Sequence, residues 1–531
     1  KGMTLDRAIW QYCAEIKSRI ADTGMPPRAF LWIPPEAKKL RGVVIGQFNM
    51  CERPILENPS FRKSLKKIDY GCIWIDNGMF GPHFDHHIQK NSATAQEIFD
   101  SLAQVTGLEY LKTIPFIGIG HSAMADFGYE MAAWSPERAV AAISYDGNTL
   151  CCSKQNTLYD HPFVTPEDIA KMKGIPLLHR DSEGNSGRYN RRTPLFRTRY
   201  PEIPFTILAD PSSTHFGVPD ETCDYLGGWI FEADKVRNPN GELPLSPVDP
   251  QKGWYVDFWR FDESPKAQMA PVSDFKGIEG PFGIEGNWVF NENDAKRMEA
   301  HVTRHNGKKT VFIAFEQNGL TVPYKYDHVG FHPEFSPQKD GLTFHLQAVF
   351  TDEFPAKTSS NWKKFLPDDP ENRALIRPIC GPIITVDSEN VAVRFDRFGI
   401  NKSRRAGGAC VLAYYPGNTK YKRAEIAGVI NIPVYNQEGI PQKISFPELP
   451  DVKVGTKQLQ LNATSDIGLP VEYFVEYGPA YLIDDTLYFD EIPMCTTLPI
   501  EVKVTAWQYG NKNEPKIQSA KPVSRIFKII K

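Results

Sequence analysis

Apolar residues along the first 236 positions fall into short unbroken runs rather than one long periodic stripe. Runs at 29–33, 42–48, 72–75, 114–120, 140–144, 175–178 and 203–209 are apolar at nearly every position. Helical spacing appears between them, near 93–105, 123–133, 166–172 and 220–233. Strands without polar alternation, interleaved with helices, predict a mostly parallel sheet covered on both faces, an α/β doubly wound fold. Ahead of the first run, Ile9, Cys13, Ile16 and Ile20 recur at helical spacing, and Gly24 with Pro26-Pro27 closes the segment. That pattern predicts an opening amphipathic helix.

The pattern changes after 236. A Pro/Asn/Gly/Ser-rich stretch to about 249 predicts a linker. Beyond it, runs such as 341–350 and 391–395 alternate in character and are separated by Gly, Pro and Asn, with one helical segment near 293–301. The expectation is an α/β domain over 1–236, a β-rich, sandwich-like domain over 250–440 and a further β domain over 441–531. The length of 531 residues fits three such units.

Composition narrows the function classes. With 61 Lys+Arg against 64 Asp+Glu the net charge is −3, so no global attraction to nucleic acid or anionic membrane exists. No apolar run approaches the roughly 18 residues a membrane span requires. Nine scattered cysteines show no metal spacing and no disulfide framework, and the adjacent Cys151-Cys152 leaves room for a vicinal disulfide. The start at Lys1-Gly2 leads to the expectation of a processed chain.

In doubly wound sheets, ligands meet the carboxyl ends of the strands. The run 114–120 leads into Gly118-Ile119-Gly120-His121-Ser122-Ala123-Met124 and directly into a helical segment. A sharp strand-to-helix turn of this form lifts a serine hydroxyl above the sheet and aims the next amide, that of Ala123, where an oxyanion develops. The fit to G-x-S-x-G is incomplete, because Met124 stands where a second glycine is usual. A base for Ser122 is expected in the loop after the last strand, where His215 lies in Asp210-Pro211-Ser212-Ser213-Thr214-His215-Phe216-Gly217. Three acids compete to orient it: Glu183, favoured, then Asp181, both after the run 175–178, and Asp146 after the run 140–144. The second oxyanion donor is expected in the backbone near Phe48 or Asn49, after the third strand.

Two clusters remain. His83, Asp85, His86 and His87 have metal-competent side chains without metal-site spacing, and solvent exposure or pocket lining is the expected role. No metal or cofactor is expected. Six arginines at 180, 188, 191, 192, 197 and 199 face only two acids, Asp181 and Glu183, across 180–199. Starting at the proposed acid, this run would place Arg188, Arg191 and Arg192 at the site rim to grip an anionic substrate. Trp74, Phe80, Phe84 and Tyr189 could offer stacking faces to sugar rings.

The segment with Gly120-His121-Ser122, the run Trp134-Ser135-Pro136-Glu137-Arg138 and His215 resembles the α/β-hydrolase family, serine esterase branch. With its β-rich tail the chain resembles multidomain esterases of polysaccharide-degrading gut bacteria, including pectin methylesterases. Leu461-Asn462-Ala463-Thr464-Ser465, Gly468-Leu469-Pro470-Val471, Gly478-Pro479-Ala480, Val504-Thr505-Ala506, Gln508, Gly510, Pro522-Val523 and Phe527 resemble a bacterial Ig-like repeat. The resemblance implies a serine nucleophile at Ser122, a proton carrier at His215 and an acid at Glu183. It also implies an ester of a plant cell-wall glycan as substrate, methyl-uronate first and acetyl second, and a periplasmic or secreted location. A non-catalytic glycan-binding protein on the same scaffold is the alternative.

Overall fold

A computed structural model of the chain describes residues 9–20, 24–76, 79–81, 83–147, 150, 161, 163–183, 193–258, 268–325, 327, 329–352, 372–396 and 408–531. Eight strands form its largest sheet: β1 (Tyr12–Glu15), β2 (Arg28–Trp32), β3 (Gly42–Gln47), β4 (Tyr70–Asp76), β5 (Phe116–His121), β6 (Ala139–Tyr145), β7 (Leu177–Ser182) and β8 (Phe205–Asp210). Their order is β1-β2-β4-β3-β5-β6-β7-β8. The strands from β4 to β8 run parallel, and β1 and β2 form an antiparallel edge. This is the sheet order of the α/β-hydrolase fold. From β3 to β8 every strand residue is buried, which is why these segments carry no polar alternation.

Helices α1 (Glu52–Glu57), α2 (Pro59–Lys66), α3 (Gln89–Thr106), α4 (Phe127–Trp134), α5 (Pro166–Lys171), α6 (Thr193–Arg199) and α7 (Asp220–Arg237) connect the strands. Two apolar clusters cover the sheet, one around α3 and α4, the other around α1, α2 and α7. The predicted opening helix is instead strand β1, paired antiparallel with β2. Its Tyr12 and Ala14 are buried while Glu15 is exposed, so period two applies. The helical spacing of Ile9, Cys13, Ile16 and Ile20 was coincidental, and edge pairing with β2 decided the conformation.

The chain from 250 to 303 returns to the first unit. Strand Asn287–Val289 lies beside β8, and the Asn287 side chain accepts from the Ile207 amide at 2.7 Å and donates to the Ile207 carbonyl. Helix α8 (Glu292–Thr303) follows and packs on α7. Beyond it, three small antiparallel sheets enclose a core with Phe315, Phe331, Phe344 and Val411. In the last 80 residues a four-stranded sheet that includes Ile500–Trp507 and Val523–Ile530 shares a core with a three-stranded one that includes Thr486–Phe489. These β-rich parts are joined to the sheet unit by Arg28–Glu476 at 2.7 Å, Arg53–Asp396 at 2.6 Å and a bond from the Gly478 amide to the Trp10 carbonyl.

Candidate active site

Ser122 sits at the turn between β5 and α4 with φ of 55°, a left-handed conformation uncommon for a residue with a Cβ. Glycines make that turn possible. A Cβ at Gly120 would collide with the Met124 carbonyl, and one at Gly147 with the Ser122 carbonyl. A Cβ at Gly118 would lie 2.7 Å from the Cα of Gly128 in α4, so strand and helix touch backbone to backbone. The missing glycine at 124 is thereby explained. Met124 is buried, its sulfur 3.1 Å from Gln47 Nε2, and the close approach falls on Gly128.

His215 comes to the turn from the loop after β8, with Nε2 2.8 Å from Ser122 Oγ. Its loop is fixed residue by residue. His121 Nε2 donates to the His215 carbonyl at 2.8 Å, Cys51 Sγ to the Phe216 carbonyl at 3.6 Å, and the Tyr145 hydroxyl to the Gly217 carbonyl at 2.7 Å.

The acid facing the imidazole is Asp146, not the favoured Glu183. Asp146 Oδ2 lies 3.7 Å from His215 Nδ1, beyond a hydrogen bond but with no other acid placed against that ring among the described residues. Glu183 accepts the backbone amide of Ser212, a residue at φ of 57°, and so braces the histidine loop rather than the ring. Asp181 is buried beside His179 at 3.3 Å, and burial raises its pKa. Asp146, at φ of 54°, accepts at Oδ1 from the Ser182 amide and hydroxyl and at Oδ2 from Arg180 at 2.8 Å. Sequence order ranked it last because the usual acid follows β7. The positive φ that lets a carboxylate turn in after β6 leaves no mark in the local sequence.

Arg180 ties this corner to a chain of buried charges. It also pairs with Asp210 at 2.6 Å and stacks on the Tyr145 ring at 4.4 Å. Asp210 meets His301 at 3.0 Å and Arg304 at 2.9 Å, both from the α8 end of the chain. Burial works to raise the Asp210 carboxyl, but Arg180, His301 and Arg304 outweigh it and hold it well below the carboxylate range. Burial lowers His301 to about 4.

The oxyanion side also departs from expectation. Ala123 is exposed at the tip of the turn, next to the serine. Asn49 is buried, and its amide donates to Glu52 Oε2 at 3.2 Å. The Met50 amide donates to the same oxygen at 2.9 Å, and the Phe48 amide to the Ile75 carbonyl at 2.7 Å. The backbone near Asn49 is therefore committed to Glu52 and is not aimed at a substrate. Glu52 Oε1 accepts the His121 amide at 2.8 Å, so one buried carboxylate links the loop after β3 to the strand end before Ser122. Burial raises it to about 7 against the lowering effect of these amides. Sequence reading missed Glu52, since a carboxylate at the first turn of a short helix resembles an ordinary helix-start residue.

Arg188, Arg191, Arg192 and Tyr189 lie outside the described residues, as does Cys151-Cys152. Of the other arginines in that run, Arg180 is buried as described and Arg197 donates to the Gly286 and Ile284 carbonyls. Trp74, Phe80 and Phe84 are core residues rather than exposed stacking faces: Trp74 packs on Phe30 and Trp10, Phe80 on Phe84.

His83 Nδ1 lies 3.1 Å from Glu130 and 3.9 Å from Asp126, and His161 Nε2 lies 3.3 Å from Asp126 and 3.9 Å from Glu130. This set has ligand-like spacing, but His161 Nδ1 accepts the amides of Phe163 and Val164. An imidazole accepting at Nδ1 carries its proton on Nε2, the atom a metal would need. His86 and His87 face Asp168 at 3.3 and 2.9 Å, while Asp168 also accepts the Thr165 amide and hydroxyl in capping α5. Both clusters bind helices α4 and α5 to the loop of 83–87.

No family model and no curated protein matches the chain. Among solved structures, Est1E from Butyrivibrio proteoclasticus is similar at 13% identity and a TM-score of 0.29, over 43% of this chain and 99% of that one. A poly(3-hydroxybutyrate) depolymerase, LpqC from Bordetella parapertussis, is similar at 10% identity and a TM-score of 0.30, over 39% and 86%. The fluorophosphonate-binding serine hydrolase FphF of Staphylococcus aureus is similar at 12% identity and a TM-score of 0.30, over 41% and 97%. No residue role and no substrate follows from likeness at this level.

Proposed function

We propose that the chain is a serine carboxyl-ester hydrolase with Ser122 as nucleophile, His215 as proton carrier and Asp146 as the acid that orients it. One observation carries this reading: Ser122 Oγ, held at positive φ, lies 2.8 Å from His215 Nε2. In the proposed reaction His215 takes the hydroxyl proton as Oγ attacks the ester carbonyl. The Ala123 amide receives the developing oxyanion, and the alcohol leaves with the proton from His215. Water, deprotonated by the same imidazole, then attacks the acyl-enzyme and releases the acid. Arg180 and Ser182 fix Asp146, and its 3.7 Å approach to Nδ1 tightens to a hydrogen bond when the ring becomes cationic.

The preferred substrate is a methyl-uronate ester of a plant cell-wall glycan, with acetylated glycans second. The resemblance of the sequence to glycan esterases supports this, together with the run of Arg188, Arg191 and Arg192 that follows β7 in the sequence. The last 90 residues are read as an Ig-like module and the location as periplasmic or secreted. No helix among the described residues is long and apolar enough to cross a membrane. Release of methanol from methylated pectin and of acetate from acetylated xylan, measured side by side on wild type and Ser122→Ala, tests the whole reading. Methanol release that Ser122→Ala abolishes is expected. Preference for acetylated xylan overturns the uronate assignment, and no turnover of either overturns the enzyme.

A further inference from the structure

We infer that Glu425, from the β-rich part of the chain, is a positioning residue for His215; this rests on the esterase reading above. Glu425 lies in strand Ala424–Asn431, and its Oε1 accepts the amide of Thr214, the residue immediately before His215, at 2.7 Å across 211 positions of sequence. The Thr214 hydroxyl lies 3.4 Å from the same oxygen. On the other side, Gly217 presses against this carboxylate so closely that a Cβ there would overlap Oε1. The glutamate thus touches the histidine loop both before and after the imidazole-bearing residue.

A carboxylate in this place is costly unless paired. Glu425 Oε2 is met by Arg423 at 2.6 Å, and the two side chains are 1% and 0% exposed. Arg423 also reaches Glu221 in the first turn of α7 at 3.5 Å. The pair sits where two modules meet, and its other oxygen, Oε1, takes the Thr214 amide of the histidine loop. The Ser212 amide is taken by Glu183 and the Gly217 amide by the Thr214 carbonyl at 3.1 Å, both within the sheet unit. Without Glu425 the Thr214 amide would lose its charge-assisted acceptor, and the backbone next to His215 would gain freedom. An error of about 1 Å in imidazole placement is enough to cost about 100-fold in rate. The β-rich region is on this reading part of the catalytic device and not a detachable spacer.

The test uses the full chain with active sites titrated by a fluorophosphonate, and kcat and KM on p-nitrophenyl acetate. Arg423→Met combined with Glu425→Gln removes both charges but leaves a carbonyl oxygen for Thr214. Arg423→Met combined with Glu425→Leu removes the acceptor as well. The Gln pair is expected to keep kcat within about 3-fold of wild type, and the Leu pair to lose about 10- to 100-fold in kcat with KM within about 2-fold. Glu425→Asp, which only draws the acceptor back, is expected to fall between them and keeps the test open where the Leu pair does not fold. Equal kcat in the Gln and Leu pairs, or an unchanged kcat in Glu425→Asp, overturns the placement while leaving the esterase intact. A wild type that is neither labelled nor active removes both.

Discussion

The two halves of the candidate site are held in different ways. The serine is placed by backbone contact within some 30 residues: Gly118 against Gly128, Gly120 against the Met124 carbonyl, Gly147 against the Ser122 carbonyl. The histidine is placed by polar side chains from distant parts of the chain. Glu183 and Glu425 hold its loop amides, Arg304 donates to the Pro211 carbonyl, and Arg180 holds the acid beneath. Steric placement is local and leaves a motif. Electrostatic placement draws on partners from 29 to 211 positions away, and each partner must itself be neutralised.

The largest effect is expected at the serine. Ser122→Ala should lower kcat by at least about 1,000-fold while urea unfolding stays near that of wild type, because a half-buried hydroxyl contributes little to packing. A matching loss of stability would mean that the turn, and not the hydroxyl, had been removed. Next comes the acid. Asp146→Asn should lower kcat by about 100- to 10,000-fold, whereas Glu183→Gln, which still offers an oxygen to the Ser212 amide, should stay within about 3-fold. Steady-state kinetics on a soluble ester decides between them, and the reverse ranking would return the role to Glu183.

Arg180→Met tests the charge chain behind the histidine. It strands the Asp146 and Asp210 carboxylates in the interior, and urea denaturation should report a loss of about 3–5 kcal/mol. The smallest effect belongs to the serine side. Glu52 rises from the ordinary 4.5 to about 7 on folding, so its contribution to stability is full below pH about 4.5 and is lost as pH rises through about 7. Relative to Glu52→Gln, which does not titrate, wild type should lose about 3 kcal/mol between about pH 4 and about pH 8, followed by urea midpoints. A constant difference across that range would mean that the amides of Met50 and His121 keep Glu52 ionised in spite of its burial.

How legible each part was follows the same division. The seven strands from β2 to β8 could be read from their apolar runs, and α3, α4, α5, α7 and α8 from periodicity and turn residues, because burial on both faces or on one face imposes those patterns. The short helices α1 and α2 went unread, and β1 was misread, since a four-residue edge strand carries too few positions to separate period two from period 3.6. In the site, Ser122 and His215 could be located from the turn glycines and from chain order. Glu183 could not be demoted, nor Asn49, because what each carboxylate or amide bonds depends on loops that meet only after folding.

The amino-acid order by itself determined the sheet-and-helix unit, the serine turn and the slot for its imidazole, since these rest on periodicity and on glycines whose neighbours lie close in sequence. Tertiary structure alone decided which acid faces His215, that Glu52 takes the amides of Asn49 and Met50, and that Glu425 reaches the loop from 211 positions away. The physical reason is the range of the forces. Steric exclusion of a Cβ is settled within a turn, whereas a buried charge is settled only by whichever opposite charge or amide the whole fold brings to it.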